Sequence, residues 1–187
     1  MRLVIALGGN ALLHKNERPE ADIQHQRVKN AARLIAREIQ KHELVLTHGN
    51  GPQVGLLALQ AEACKAVKAY PLDLLDAESA GMIGYLLVQE LHNQLLAYPV
   101  RKQPVALLTQ VVVDRNDPAF ARPDKPIGGF YPITERDRLI AETDWDFAET
   151  ADGLRRVVPS PAPLEIVELE TIRLLFAQGR LVICAGG

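Results

Sequence analysis

Cysteine and aromatic residues are scarce in this 187-residue chain, with two cysteines, one tryptophan, four tyrosines and four phenylalanines. Cys64 and Cys184 stand far apart and lack CxxC spacing. That argues against a disulfide framework and against a zinc site. Both read as small buried apolar residues in a reducing cytoplasm. An excess of either charge is also missing: 21 Lys plus Arg face 23 Asp plus Glu, a net of −2. No positive field is there to recruit a nucleic-acid backbone. No apolar run reaches the roughly 18 residues of a membrane span. The opening MRLVIALGG has no small-residue cleavage site and reads as a strand rather than a signal peptide. Internal repeats and low-complexity tracts are absent too. What remains, 48% hydrophobic and 24% charged, is the composition of a soluble globular domain.

The hydrophobic pattern alternates between two periods. Residues 2–7 (RLVIAL) form a short β-branched run ending at Gly8-Gly9, as a strand buried on both faces would. Residues 22–41 carry Ile23, Val28, Ala31, Leu34, Ile35 and Ile39 at helical spacing. Leu44-Val45-Leu46 predicts a second strand, and residues 53–67 and 76–96 predict helices. Residues 104–113 (PVALLTQVVV) predict a third buried strand. Strand, helix, strand, helices, strand implies an α/β fold: an open, mainly parallel sheet with helices on both faces. Between residues 114 and 163 prolines crowd, and the pattern predicts an excursion from the main sheet. Within it a short helix is expected near 135–142 and strands near 146–149 and 155–158. Helical period resumes over 165–178, Gly179 is placed as the C-cap, and 181–184 predict a fourth buried strand.

The chemistry concentrates in two glycine loops. Gly8-Gly9-Asn10 follows the first strand, and His48-Gly49-Asn50-Gly51-Pro52 follows the second. Open α/β sheets bind ligands at such carboxyl ends. Missing Cβ atoms let backbone N–H groups approach an anion, and a following helix adds its positive end. Asn10 and Asn50 would each add a side-chain amide donor, so the pair of loops reads as a nest for phosphoryl oxygens. Either loop alone is also explained as a tight strand-to-helix turn. No GxxxxGK[ST] occurs, which excludes a P-loop, and Gly49, Gly51 and Gly55 miss the dinucleotide spacing by one. Phosphoryl transfer needs a cation to offset charge on the equatorial oxygens. Lys125, framed by Pro123 and Pro126 on an expected loop, is the candidate; a solvated loop lysine is the plainer alternative. His48 reads first as a structural histidine. His14, His25, His42 and His92 read as surface residues. Asp73, Asp76 and Glu78 read as acids at a helix N-terminus rather than as a metal site.

Several segments, in order along the chain, resemble the bacterial carbamate kinases of the amino acid kinase family. They are ALGGNAL (6–12), HGNGPQVG (48–55), PLD (71–73), IGY (83–85), LTQVVVD (108–114), DPAF (117–120), KPIG (125–128) and RRVVPSP (155–161). The resemblance implies an α/β/α sandwich and reversible phosphoryl transfer between ATP and carbamate, giving ADP and carbamoyl phosphate, with Mg2+. It implies a catalytic role for Lys125, since Ala6 stands where many amino acid kinases carry a lysine. It implies that Gly8, Gly9, Asn10, Gly49, Asn50 and Gly51 line the carbamoyl phosphate site, with Gly186 and Gly187 on the nucleotide side. It makes residues 114–163 a protruding lid within a single kinase part, 1–187. It makes the helices after HGNGPQVG the interface of a cytoplasmic homodimer active in arginine catabolism.

Ala80, Gly129 and Ala162 depart from residues common in the family. Family chains also continue past the AGG at 185–187, which makes this sequence resemble an N-terminal part, truncated before most of the ATP contacts. Two other readings therefore stay open. One is a catalytically incomplete remnant that binds anions or dimerises; the other is an amino acid kinase for a different small acyl phosphate.

Overall fold

Register decides which loops meet in this protein. The computed structural model describes residues 1–14, 17–64, 66–143 and 145–186; of Asn10 it describes the backbone only. In chain order the elements of the main layer begin with β1 (Arg2–Leu7), α1 (Gly9–Leu12), α2 (Ala21–Ile39) and β2 (Glu43–His48). Then come α3 (Gly51–Ala63), α4 (Leu72–Leu95) and β3 (Pro104–Ala106). The excursion contains β4 (Val111–Val113), β5 (Lys125–Tyr131), α5 (Arg136–Glu142), β6 (Asp146–Thr150), β7 (Gly153–Val158) and β8 (Pro163–Ile166). The chain returns through α6 (Leu169–Ala177) to β9 (Leu181–Cys184).

The main sheet is parallel, with order β1-β2-β9-β3. One face is covered by α2 and α4. Val28, Ile35 and Ile39 of α2 and Ile83, Leu87 and Leu91 of α4 close over Leu44, Leu46 and Ile183. The other face carries α6, whose Ile172 packs on Val182 and Cys184. This is the expected open parallel sheet with helices on both faces.

Several local expectations change. β1 is an edge strand, and its outward residue Val4 is 71% exposed, so it is not buried on both faces. The buried stripe of α2 runs through Val28, Ala32, Ile35 and Ile39. These follow i, i+4, i+7 spacing, which leaves Leu34 facing out. Cys64 is exposed where it ends α3, whereas Cys184 is buried.

The run 104–113 is not one strand. The Thr109 hydroxyl donates to the Leu107 carbonyl and accepts the Ala185 N–H, which ends the parallel ladder. Gln110 then donates its N–H to Glu168, and Val111–Val113 pair antiparallel with β8. That pairing takes residues 163–166 into β8, including 165–166 at the start of the expected helix, so the helix starts only at Leu169. Gly179, at φ +75°, does end it as expected.

Beyond the β4–β8 stem lies a three-stranded antiparallel sheet, order β5-β7-β6. Tyr131 meets Phe147 edge to face at 6.0 Å, and the Arg156 guanidinium lies 3.9 Å from the Trp145 ring centroid. The Tyr131 hydroxyl donates to Glu62 at 3.0 Å and ties this small sheet to α3.

Candidate functional site

Parallel pairing brings the glycine loops together. β1 and β2 run in register from Arg2 opposite Glu43 to Leu7 opposite His48, so both loops leave the sheet at one level. The Gly49 N–H donates to the Leu7 carbonyl at 2.9 Å. A Cβ on Gly9 would lie 3.5 Å from the Pro52 ring. β9 joins from the other side, with Thr47 opposite Cys184 and the His48 N–H donating to Ala185. Thus 8–9, 49–51 and 185–186 converge at the carboxyl edge of the sheet, where an open α/β sheet holds ligands. Gly187 and the Asn10 side chain lie outside the described residues.

His48 is buried at this junction. Burial pushes its imidazole below the usual value, against the opposing pull of the Gly49 carbonyl and the Asp76 charge. Such a base gains its proton first in the unfolded chain. Its contribution to stability is complete above the unfolded value of about 6.5 and is lost as pH falls through that value toward the lower folded one. The ring-proton NMR titration of His48 should show a midpoint below 6.5; an unshifted midpoint would mean the ring is solvated.

Gly186 fits because it has no side chain. A Cβ there would stand 2.7 Å from His48 Cε1 and 2.8 Å from Ala80 Cβ. Gly186→Ala should cost about 1–3 kcal/mol in urea unfolding, as overpacked sites do. A loss under about 0.5 kcal/mol would show that the strand end shifts freely.

Lys125 approaches from above. Sequence placed it on a loop, but it is the first residue of β5 and pairs with Val158. Its strand lies against α3 because neither element has a side chain at the crossing. A Cβ on Gly55 would be 3.2 Å from the Gly128 backbone, and Gly128 itself takes φ +67°. The result is a cleft of 440 Å³ lined by Gly49, Asn50, Gly51, Asp73, Asp76 and Lys125, among others. Gly9 sits against Gly49 and Pro52, and neither Gly8 nor Gly9 is in the wall of this cleft. A second cleft of 640 Å³ shares Asp73 and Asp76 and takes in Thr109, Glu168 and Gly186.

Two readings of the site change. The Asn50 amide is not a donor to a ligand: Nδ2 donates to Asp76 and to Ser79, the latter at 2.7 Å. Asp73 does lie in the first turn of α4, but with Asp76 it also walls both clefts. Only the spacing of Asp73 and Asp76, one helical turn apart, hinted at this in the sequence. α3 starts at Gly51; Pro52 has no N–H, and the Gln53 and Val54 N–H groups donate to the Asn50 carbonyl, which among the described residues leaves the Gly51 N–H open where Gly51 lines the Lys125 cleft. The arrangement offers an anion a lysine and a helix N-terminus together.

A parallel sheet with glycine loops at its carboxyl edge and a small sheet carrying a lysine above them defines the class. The family model described as the amino acid kinase family matches residues 1–187, and the chain belongs to that family. Within it the similarity is to carbamate kinases. The Haemophilus influenzae carbamate kinase is 52% identical over 187 residues, covering 100% of this chain and 59% of that protein. A Giardia lamblia carbamate kinase bound to AMP-PNP superposes with a TM-score of 0.88 at 40% identity, over 100% of this chain and 60% of that one. A solved protein of Aeropyrum pernix K1 superposes with a TM-score of 0.93 at 36% identity, over 100% of this chain and 61% of that one. The chain spans about 60% of the length of the relatives it matches.

Proposed function

We propose that this chain carries the acyl phosphate end of a carbamate kinase-type phosphotransferase site. The reaction is reversible phosphoryl transfer between ATP and carbamate, giving ADP and carbamoyl phosphate. The observation that carries this reading is the shared cleft of Lys125 and the Asn50-Gly51 head of α3. A phosphoryl group between them meets an ammonium on one side and the Gly51 N–H at the positive end of α3 on the other, which offsets charge as it spreads over the equatorial oxygens. Lys125 is the catalytic residue in this reading. Gly49 and Gly51 let the backbone close on the phosphoryl oxygens, and Gly8, Gly9 and Asn10, on the neighbouring loop beside the cleft, belong to the same carbamoyl phosphate site in this reading. Gly186 and Gly187 belong to the nucleotide side, where ATP or ADP is the co-substrate; similarity to a kinase bound to AMP-PNP supports this.

Mg2+ is part of the proposal as an ion that arrives with the nucleotide. Among the described residues no group of three His, Cys, Asp or Glu side chains could hold a metal by itself. The Asp73 and Asp76 carboxylates at both clefts are the oxygen donors a phosphate-bound Mg2+ would meet. The ion would neutralise phosphate charge there. Residues 114–163 act as the lid within the 1–187 part. α3 and α4 supply a homodimer interface, and the setting is cytoplasmic arginine catabolism. Among the described residues no helix is long and apolar enough to cross a membrane.

The test is ATP formation from ADP, Mg2+ and carbamoyl phosphate by the purified chain, with acetyl phosphate in parallel. ATP that depends on carbamoyl phosphate is expected. No ATP above spontaneous breakdown overturns catalysis by this chain and puts an anion-binding or dimerising role in its place. Equal use of acetyl phosphate favours a kinase of another small acyl phosphate.

A further inference from the structure

Asn50 is only 5% exposed, yet it lines the cleft that holds Lys125. A carboxamide can face either way, but here its neighbours choose. Nδ2 donates to Oδ1 of Asp76 and to Oγ of Ser79. A carboxylate only accepts. The Ser79 hydroxyl spends its one proton on the Asp76 backbone carbonyl, 2.8 Å away, so toward Asn50 it only accepts as well. Both amide protons are therefore held by α4, and the planar group turns its carbonyl Oδ1 away from that helix. Among the described residues Oδ1 accepts no hydrogen bond.

We propose that Asn50 Oδ1, locked in this orientation by Asp76 and Ser79, accepts an N–H of the substrate's amino group and thereby selects a carbamoyl over an acetyl carrier of phosphate. The inference rests on the phosphotransferase reading above. Carbamoyl phosphate and acetyl phosphate differ by an NH2 in place of a methyl group of nearly equal size. Volume separates such a pair poorly, whereas a fixed acceptor in the cleft wall separates it well, because the methyl analogue displaces water from that acceptor and leaves it stranded. The Lys125 ammonium and the Gly51 N–H are donors; they suit phosphoryl oxygens and give the amino group nothing. The Asp73 and Asp76 carboxylates in the same wall also accept, but their charge repels the phosphoryl group. The Asn50 carbonyl accepts without adding charge. Asp76 and Ser79 are then positioning residues, one layer behind the group that touches substrate.

The experiment is a 31P NMR titration of the purified chain with fresh carbamoyl phosphate, acetyl phosphate and inorganic phosphate, each variant being checked for its fold by circular dichroism. The unaltered chain should bind carbamoyl phosphate about tenfold more tightly than acetyl phosphate. Asp76→Asn adds an amide that can donate to Asn50 Oδ1 and so releases the orientation. It should bring the ratio of the two dissociation constants to about two or less. Removing the Asp76 charge strengthens both anions alike, so the ratio and not either constant is the readout. Asn50→Ala should abolish the preference while acetyl phosphate still binds. Ser79→Ala, which keeps Asp76, should fall between. If Asp76→Asn does not fold, the other two variants carry the same ratio test. Equal binding by the unaltered chain, or a preference that survives Asn50→Ala, overturns this inference and leaves the phosphotransferase reading standing. Binding of neither acyl phosphate overturns that reading and this inference with it.

Discussion

Lys125→Ala should lower phosphoryl-transfer turnover by about 10²–10³-fold, the usual cost of removing one preorganised charge-stabilising group. Lys125 begins β5, and the Gly55–Gly128 crossing sets that strand against α3. The ammonium is then held across a cleft from the Asn50-Gly51 helix head. Because Lys125 is exposed, its removal should shift unfolding free energy by no more than about 0.5 kcal/mol. Catalysis and stability therefore separate in this variant. Lys125→Arg keeps the charge but replaces a compact ammonium by a planar fork, and should recover only part of the rate. The readout is ATP formed from ADP and carbamoyl phosphate beside a urea melt of the same preparation. Unchanged turnover would remove Lys125 from the mechanism.

Leu87→Ala should cost about 2–5 kcal/mol. Leu87 has no exposed surface and stands in α4 where that helix packs with α2 against the parallel sheet. Close-packed surroundings collapse only partly around a deleted isobutyl group, so a cavity cost adds to the lost transfer energy. Leu174→Ala on α6 is the control: that side chain is 58% exposed, and its loss should stay within about 0.5 kcal/mol. Urea midpoints at constant slope measure both. A Leu87→Ala loss below 1 kcal/mol would mean that α4 repacks around the gap, against the density of contacts it makes here.

The sheet, its helices and the glycine loops were legible because each rests on a local period. β2 and β9 show in Leu44-Val45-Leu46 and in residues 181–184, and both are enclosed on the faces that matter. α2 was legible as a helix but its buried side was not fully so. Leu34 belongs to the apolar pattern, yet no sheet residue lies opposite it. β5 is not legible in the sequence because Pro126, Gly128 and Gly129 break any strand pattern, and the strand exists through its pairing with β7. The single run 104–113 was divided by a side chain, Thr109, whose partner Ala185 lies 76 residues away. Within the site, Gly49, Asn50, Gly51 and Lys125 were all singled out from sequence, and one cleft contains them. The direction of the Asn50 amide was not legible, since Asp76 and Ser79 set it from another helix.

By itself the sequence determined the class of element at most positions, the two loops fit for phosphate, and the resemblance of its ordered motifs to one group of kinases. Those are properties of neighbouring residues: side-chain period, missing Cβ atoms, a proline beside a lysine. Only the tertiary structure decided that β9 inserts between β2 and β3, that Gly186 packs on His48, and that Lys125 faces the head of α3. It also decided which atoms of Asn50 face inward. Each of these depends on hydrogen bonds and contacts between residues far apart in the chain, and local propensity carries no term for such partners until the backbone brings them together.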